Sequence, residues 1–174
     1  MKKLIFFGLA MLMLISSCEN KKAYRPSQFP NERNKHNFSF AIPYSMKKNS
    51  IVVRVRLNNG PQFEGVWDSG CSLPLKISKL EAEALVKNGT LSISDYKSNY
   101  PVTIANGQTS EYAVYMLKSI SFVDQEGVEH MLSNIQAVID DNVGTDILIG
   151  LPVMQALGDS YEISQYDQSI YFKE

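Results

Sequence analysis

Residues 63–77 read FEGVWDSGCSLPLKI, an apolar strand that runs into a small polar turn and then into a second apolar segment. The strand is predicted at Phe63–Trp67, and the turn begins with Asp68-Ser69-Gly70. Ser69 does not lie in a nucleophile elbow, because the two flanking glycines of that motif are missing. Asp68 is therefore the residue of this stretch to which chemistry can be assigned, although Asp-Ser-Gly alone is a weak signal that is also common in turns.

The residues upstream of this stretch predict the first arm of a β-hairpin. Residues 51–57 read IVVRVRL, which places four aliphatic side chains on one face at a period of two and both arginines on the other. The sequence Asn-Asn-Gly at 58–60 is a strong signal for a tight turn. Residues 63–67 then return as the second strand.

The residues downstream predict more short strands and two short helices. A capping box at Ser78 and Glu81 begins a helix that ends at Asn88-Gly89. A second short helix begins near Pro152. Further strands are predicted at 38–42, 100–104, 112–117, 120–123, 128–132, 135–139, 147–149, 161–163 and 169–172. Short strands at this spacing predict an all-β sandwich or barrel.

The order of these motifs resembles that of the retropepsin-like aspartic proteases, a single-lobe family with retroviral and bacterial members. That family has an apolar strand, Asp-Thr/Ser-Gly-Ala, a flap hairpin, and then aliphatic residues and a glycine before a short helix. The resemblance extends from Ile51 to Phe172. It implies an all-β retropepsin-like acid protease barrel with one or two short helices.

The resemblance assigns Asp68, Ser69 and Gly70 to the catalytic loop. In the family two such carboxylates share one proton, because two like charges at close range cannot both ionise. This chain has a single Asp-Ser-Gly, so the resemblance implies a homodimer with one Asp68 from each chain. Ser69 would donate a hydrogen bond across the two-fold axis, and Gly70 would let its amide approach the carboxylates. The expected activity is peptide-bond hydrolysis without a metal or a cofactor.

The resemblance also implies two supporting segments. The flap, which would close over a peptide substrate, is expected at the turn of the second hairpin: Ala105, Asn106, Gly107 and Gln108. The segment beneath the Asp loop, with a packing role, is expected at Ile147, Leu148, Ile149 and Gly150.

Two residues beside Asp68 depart from the family pattern. Cys71 replaces the usual alanine, and Trp67 is bulkier than the usual aliphatic residue. We expect Cys71 to be a free thiol that packs as a small apolar group. The alternative is that two Cys71 residues meet near the dimer axis and form a disulfide that regulates activity.

The N-terminal residues predict a lipid anchor. Residues 1–17 have a positive start and an apolar run of about a dozen residues, shorter than the roughly 20 that span a bilayer. They end in Leu-Ile-Ser-Ser before Cys18, which resembles the lipobox of bacterial lipoproteins and implies lipidation of Cys18. Residues 18–37 are polar and predict a flexible tether, so the folded domain is expected at 38–174. The predicted location is the bacterial cell envelope, on the outer membrane or the periplasmic face.

Composition and charge exclude other classes of function. The chain has 174 residues and a net charge of −1, with no basic excess to neutralise phosphates, so nucleic-acid binding is disfavoured. His130 is expected on the surface of a strand rather than in a metal site. Asp140 and Asp141 are interpreted as a solvated acidic turn, because the other oxygen ligands of a calcium loop are missing.

Two functions from different classes remain open. The first is an envelope-anchored aspartic endopeptidase that works as a homodimer. The alternative is a catalytically silent lipoprotein of the same fold, acting as a peptide- or protein-binding module with Asp68 as a turn residue.

Overall fold

The computed structural model describes residues 38–103, 106–144 and 146–174. The predicted signal peptide (1–17), the lipidation residue Cys18 and the rest of the tether (19–37) lie outside the described residues, as does the flap residue Ala105. Within the described ranges, no helix combines the length and the apolarity needed to cross a bilayer.

Strands make up most of the described chain. The elements are β1 (Phe40–Lys47), β2 (Ser50–Leu57), β3 (Gln62–Asp68), β4 (Leu75–Ser78), α1 (Lys79–Lys87), a 3₁₀ turn (Ile93–Asp95), β5 (Tyr96–Thr103), β6 (Thr109–Val123), β7 (Glu129–Asp140), β8 (Ile147–Gly150), α2 (Leu151–Leu157), β9 (Ser160–Ser164) and β10 (Ser169–Lys173).

Six of these strands close into a barrel, in the order β6, β7, β4, β8, β3 and β2. The closing contact pairs the end of β2 with β6, where Leu57 lies opposite Ile120. Strand β5 extends the sheet beyond β6, and β1, β10 and β9 extend it beyond β2. Closure leaves the barrel strands without free edges. The predicted all-β barrel with two short helices is confirmed.

The hairpin before Asp68 forms as predicted. Val55 on β2 lies opposite Phe63 on β3, and Asn58 and Asn59 in the turn have φ angles of 52° and 56°. Such left-handed angles match the twist of a tight hairpin turn, and asparagine tolerates them. The buried Asn58 side chain also accepts a hydrogen bond from the Lys118 backbone N–H at 2.7 Å, which ties the turn to β6.

The sequence predicted that the first strand ends before Pro43, but β1 continues through Pro43 to Lys47. Strand β1 pairs with β10 up to Pro43, which lies opposite Ser169, and from Tyr44 it pairs with β2 instead. Proline lacks an N–H for the ladder and is tolerated where the pairing partner changes.

The division of the middle of the chain into four short strands is also wrong. Strand β6 runs without a break through Ser119, which lies opposite Ser133 on the equally continuous β7. The polar residues there interrupt the apolar pattern, but they keep their backbone pairing. Asn134 on β7 has a φ of 59°, which marks a local irregularity rather than the end of the strand.

Both predicted helices form, and each directly follows a strand. The capping box is present at the start of α1, where the Ser78 N–H donates to Glu81 Oε2 at 2.8 Å and the Leu80 N–H donates to Ser78 Oγ at 3.2 Å. Helix α2 has Gly150 as its N-cap and Pro152 in its first turn. Strands β4 and β8 therefore pass directly into helices.

Trp67 anchors β3 in the core. Its ring is buried and makes edge contacts with Phe122, Tyr161 and Phe172 at centroid distances of 6.2, 6.0 and 5.9 Å. Edge-to-face pairs of this kind stabilise beyond the area they bury. The bulky residue before Asp68 is thus accommodated by an aromatic cluster, and it holds the end of β3 in place.

Candidate active site

Asp68 lies at the C-terminal end of β3, in parallel register with Gly150 on β8. Its carboxylate is half-buried, and Oδ1 accepts a hydrogen bond from the Gly70 N–H at 2.9 Å. Ser69 and Gly70 are exposed in the turn that follows. The turn therefore orients the carboxylate with its own backbone, and it leaves the Ser69 hydroxyl on the surface of the single chain.

The Asp loop, which comprises residues 68–74, crosses closely over Gly150. A Cβ at Gly150 would lie 1.8 Å from the Leu73 carbonyl oxygen and 2.7 Å from that of Cys71. The Gly150 N–H donates to the Pro74 carbonyl at 3.0 Å, and the Leu151 N–H donates to the Cys71 carbonyl at 2.9 Å. Only glycine fits at this crossing, so the segment beneath the loop positions it by backbone contact.

The other residues of that segment divide between the core and the site. Ile147 and Ile149 are buried in the core, whereas Leu148 lines a cleft together with Asp68. This division follows the alternation of side chains along a strand. Leu148 therefore contributes a wall of the cleft as well as packing.

The cleft beside Asp68 has a volume of about 320 Å³, within the range of ligand-binding pockets. Its walls come from the turn at 70–73, Lys76 on β4, Val102 and Thr103 on β5, Tyr112 on β6, Val138 and Asp140 on β7, and Leu148 on β8. The cleft thus lies between the Asp loop and the β5–β6 hairpin.

The β5–β6 hairpin reaches the cleft with its strands rather than with its described tip. Gly107 at the tip has a φ of 84°, and Asn106 Oδ1 accepts a hydrogen bond from the Gln108 N–H at 2.9 Å. These three residues are exposed, and they are not among the described residues that line the cleft. The predicted Asn-Gly turn is present, and the cleft side of the hairpin lies at Val102 and Tyr112.

Cys71 lies beside the carboxylate as a half-buried thiol. Its Sγ donates to the Leu73 carbonyl oxygen at 3.7 Å. Burial raises the pKa of the Cys71 thiol, and the nearby Asp68 charge adds to this, although the hydrogen bond to Leu73 and the Lys76 ammonium oppose it. A raised pKa disfavours the reactive thiolate.

Asp140 is not the solvated residue that the sequence suggested. It is 7% exposed at the end of β7, and its Oδ2 accepts from Lys76 Nζ at 3.2 Å. Its Oδ1 accepts from both the backbone N–H and the side-chain amide of Asn142, at 3.0 and 2.9 Å. Burial alone would raise the pKa of Asp140, but the hydrogen bonds from Asn142 and Lys76 outweigh it, so the pKa lies below its usual range.

The two carboxylates of the cleft, Asp68 and Asp140, therefore have different hydrogen-bond partners. A dyad requires two carboxylates that share one proton. Asp140 has its own hydrogen-bond donors and a cation, which keep it ionised, so it does not fit the role of proton-sharing partner to Asp68. Sequence reasoning missed the Lys76–Asp140 pair, although Lys76 between Leu75 and Ile77 in an alternating segment was a signal for a cation on the face opposite the core.

His130 is also less exposed than expected. Its Nε2 lies 2.9 Å from Asp124 Oδ2, and its ring stacks on Phe40 with the centroids 3.7 Å apart. His130 thus belongs to a packed pair at the far end of β7. Across the described residues, no three His, Cys, Asp or Glu side chains are grouped closely enough to hold a metal ion.

Comparisons with known proteins bear on the fold. No protein-family model matches the sequence, and no curated protein sequence matches it. Among solved structures, the chain is similar to a retropepsin-like aspartic protease from Rickettsia conorii, with a TM-score of 0.52 and 18% sequence identity over 75% of this chain and 87% of that chain. At this identity the similarity concerns the fold alone. The chain has a retropepsin-like fold, in which Asp68 and its cleft occupy the end of β3.

Proposed function

We propose that this protein is an aspartic endopeptidase whose catalytic dyad consists of Asp68 from each of two chains. One observation carries the proposal: on a retropepsin-like fold, the single Asp-Ser-Gly turn lies at the mouth of a cleft that the β5–β6 hairpin walls on one side. A peptide held between the hairpin and the Asp loop would have its scissile bond next to Asp68.

The chemistry needs one ionised and one protonated carboxyl group. The ionised Asp68 takes a proton from a water molecule, whose oxygen attacks the peptide carbonyl carbon, while the protonated Asp68 donates its proton to the carbonyl oxygen. The tetrahedral intermediate then collapses as the C–N bond breaks. The leaving amine takes up the proton that the first Asp68 took from water, and a hydroxyl proton of the intermediate returns to the second Asp68. The rate should pass through a maximum at acid pH, because the two carboxyl groups must differ in protonation.

The second chain is needed because the described residues of one chain offer no suitable partner for Asp68. Asp140 in the same cleft is bound to Lys76 and Asn142. The exposure of Ser69 and Gly70 in the single chain is compatible with a partner chain that packs there. In the dimer, Ser69 would donate a hydrogen bond to the partner loop and hold the carboxylates in register.

The decisive experiment measures cleavage of a peptide library by the full-length protein in detergent. Asp68→Asn should lower kcat/KM by about a hundredfold to ten-thousandfold, because the amide keeps the shape of the carboxylate but cannot act as a base. Asp141→Asn, an exposed neighbour of the cleft, is the matched control and should retain activity. Pepstatin-like transition-state mimics should inhibit, whereas chelators should not.

Mixing of chains tests the dimer directly. An excess of the Asp68→Asn chain should suppress wild-type activity, since mixed dimers carry only one functional carboxylate. Activity that survives Asp68→Asn would reject the aspartic mechanism, and activity unaffected by the mixing would reject the shared dyad. If no peptide is cut at any pH, the binding-module interpretation replaces the enzyme.

We further propose that Cys18 carries a lipid that anchors the protein in a bacterial envelope. Support comes from the sequence of residues 1–18, which combines a short apolar run with Leu-Ile-Ser-Ser-Cys. Metabolic labelling with a lipid precursor should be lost in Cys18→Ala and kept in Cys71→Ala. Labelling that persists without Cys18, or a wild-type protein released in soluble form, would contradict the anchor.

A further inference from the structure

Lys76 brings a positive charge into a cleft with mostly apolar walls. On β4 its neighbours Leu75 and Ile77 are fully buried in the core, so Lys76 points to the opposite face. In the sheet, Lys76 lies opposite Val138 on β7 and Leu148 on β8. All three residues line the cleft. Among the described residues of the cleft wall, Lys76 is the only cation, and its side chain is 19% exposed.

The ion pair with Asp140 leaves hydrogen-bonding capacity on both partners. A lysine ammonium has three donors, and the described residues supply it with one acceptor, Asp140 Oδ2 at 3.2 Å. From the described residues, Asp140 Oδ2 in turn receives that single hydrogen bond, whereas Oδ1 is occupied by Asn142. The cleft therefore presents a donor and an acceptor side by side.

The pair lies on the same side of the Asp loop as the catalytic carboxylate. Lys76, Asp140 and Asp68 line one cleft, and the charges of both Lys76 and Asp68 act on the Cys71 thiol. A substrate side chain that enters this cleft next to the scissile bond would contact the pair. The hydrogen bonds to Asp140 hold its pKa low, so its carboxylate stays ionised in mildly acid solution.

A charged substrate side chain would meet one favourable and one unfavourable partner. At the pair itself, a glutamate would bind Lys76 but would be repelled by Asp140, and a lysine would bind Asp140 but would be repelled by Lys76. An apolar side chain would leave both groups desolvated without new hydrogen bonds, which is costly. A primary amide carries an acceptor and a donor on one planar group, so it matches both partners without adding charge.

Building on the proposed function, we infer that the Lys76–Asp140 pair makes this cleft a subsite for a glutamine or asparagine side chain of the peptide substrate. The amide oxygen accepts from the Lys76 ammonium, and the amide nitrogen donates to Asp140 Oδ2. Lys76 and Asp140 are then specificity-determining residues, distinct in role from Asp68.

The test uses mixture-based octapeptide libraries with Gln, Glu, Lys or Met fixed in turn at each central position. Initial cleavage rates are measured with the wild-type full-length protein, and dissociation constants with the Asp68→Asn protein, which keeps the cleft without cutting. At one position Gln should exceed Met by about tenfold to a hundredfold, the scale of hydrogen bonds to charged groups. Glu and Lys should fall below Gln at that position.

Variants of the pair should change the preference in opposite directions. Asp140→Asn leaves the cation and should shift the preference toward Glu, whereas Lys76→Met leaves the anion and should shift it toward Lys. The double variant removes both charges and should favour Met. Lys173→Met, which changes an exposed lysine outside the cleft, is the matched control and should keep the Gln preference. A merely structural role of the pair predicts weaker binding without this reciprocal change.

The outcomes separate this inference from the proposed function. Cleavage without a Gln preference, or a preference that neither single variant redirects, overturns the inference alone. A Gln preference in binding without any cleavage overturns the enzyme and keeps the subsite. The double variant covers the case in which a single variant fails to fold, since replacement of a whole ion pair is tolerated better than loss of one partner. Absence of both binding and cleavage overturns both proposals.

Discussion

Two glycines belong to the two parts of the chain that border the cleft, one to β8 beneath the Asp loop and one to the β5–β6 hairpin, and their surroundings differ completely. We call the Asp loop at 68–74, together with Gly150 beneath it, the floor of the cleft. A Cβ at Gly150 would lie 1.8 Å from a backbone oxygen. Gly107 lies at the tip of the β5–β6 hairpin, where a Cβ would meet no atom of the described residues within 4 Å but the φ is 84°. Position 150 requires glycine because there is no space for a Cβ, whereas position 107 favours glycine because its φ is positive.

The difference indicates how the site is constructed. The floor is held in place by contacts between segments that are far apart in sequence, namely the Asp loop, β4, β7 and β8. The hairpin tip is defined by its own few residues, such as the Asn106–Gln108 hydrogen bond. The proposed endopeptidase would have to hold its carboxylate still while it admits a substrate, and this combination would serve both needs. Substitutions on the two sides should therefore have effects of different size and kind.

The largest effect is expected for Gly150→Ala. The new methyl group would overlap the Leu73 carbonyl, so either β8 or the Asp loop must move. We expect a loss of more than about 3 kcal/mol in the free energy of unfolding, or no folded protein at all. Urea denaturation followed by circular dichroism measures the change. A Gly150→Ala protein as stable as the wild type would show that the crossing is not as tight as described.

An intermediate effect is expected for Asp140→Asn, because it leaves the Lys76 ammonium without its counter-charge in a largely buried place. The cost at neutral pH should be about 1–3 kcal/mol. The pKa of Asp140 in the folded protein lies below the ordinary aspartate value of 3.8, so between the two values the unfolded chain binds more protons than the native state. The stabilisation is therefore complete above the ordinary value and is lost as the pH falls through the folded pKa.

The measurement is the free energy of unfolding of Asp140→Asn and wild type from neutral pH down to acid. The difference between the two proteins should shrink below pH about 4. The exposed neighbour Asp141 provides the control, since Asp141→Asn should change stability little at any pH. A difference that is independent of pH would contradict the role of the ionised carboxylate.

The smallest effect on stability is expected for Gly107→Ala. A non-glycine residue in the left-handed region costs about 1–2 kcal/mol, and the new methyl group would contact none of the described residues. Gly89 at the end of α1 is a matched control, with a φ of 76° and no atom within 4 Å of its would-be Cβ. Both alanine variants should lose similar stability, but only Gly107→Ala should lower kcat/KM, by a few-fold. Equal kinetics for the two would argue against a role of the hairpin in substrate binding.

Sequence reasoning succeeded where the signal was local. The Asn58-Asn59 turn, the Ser78–Glu81 capping box and the Pro152 helix start each depend on residues within a few positions of one another. It failed at Ser119 and Ser133, because two polar residues that break the apolar pattern can still pair their backbones across strands. It also failed at Asp140, since the charge that stabilises this carboxylate lies 64 residues earlier at Lys76.

The sequence by itself determined most of the strands, the turns and the choice of Asp68 as the candidate carboxylate, because alternation, capping and turn chemistry are properties of short segments. The tertiary structure alone decided which strands became neighbours: the closure of β2 onto β6, the parallel pairing of Asp68 with Gly150, and the meeting of Lys76 with Asp140 in the cleft. These contacts join distant segments, and their free energy comes mainly from a shared apolar core, which does not exist until the whole barrel closes.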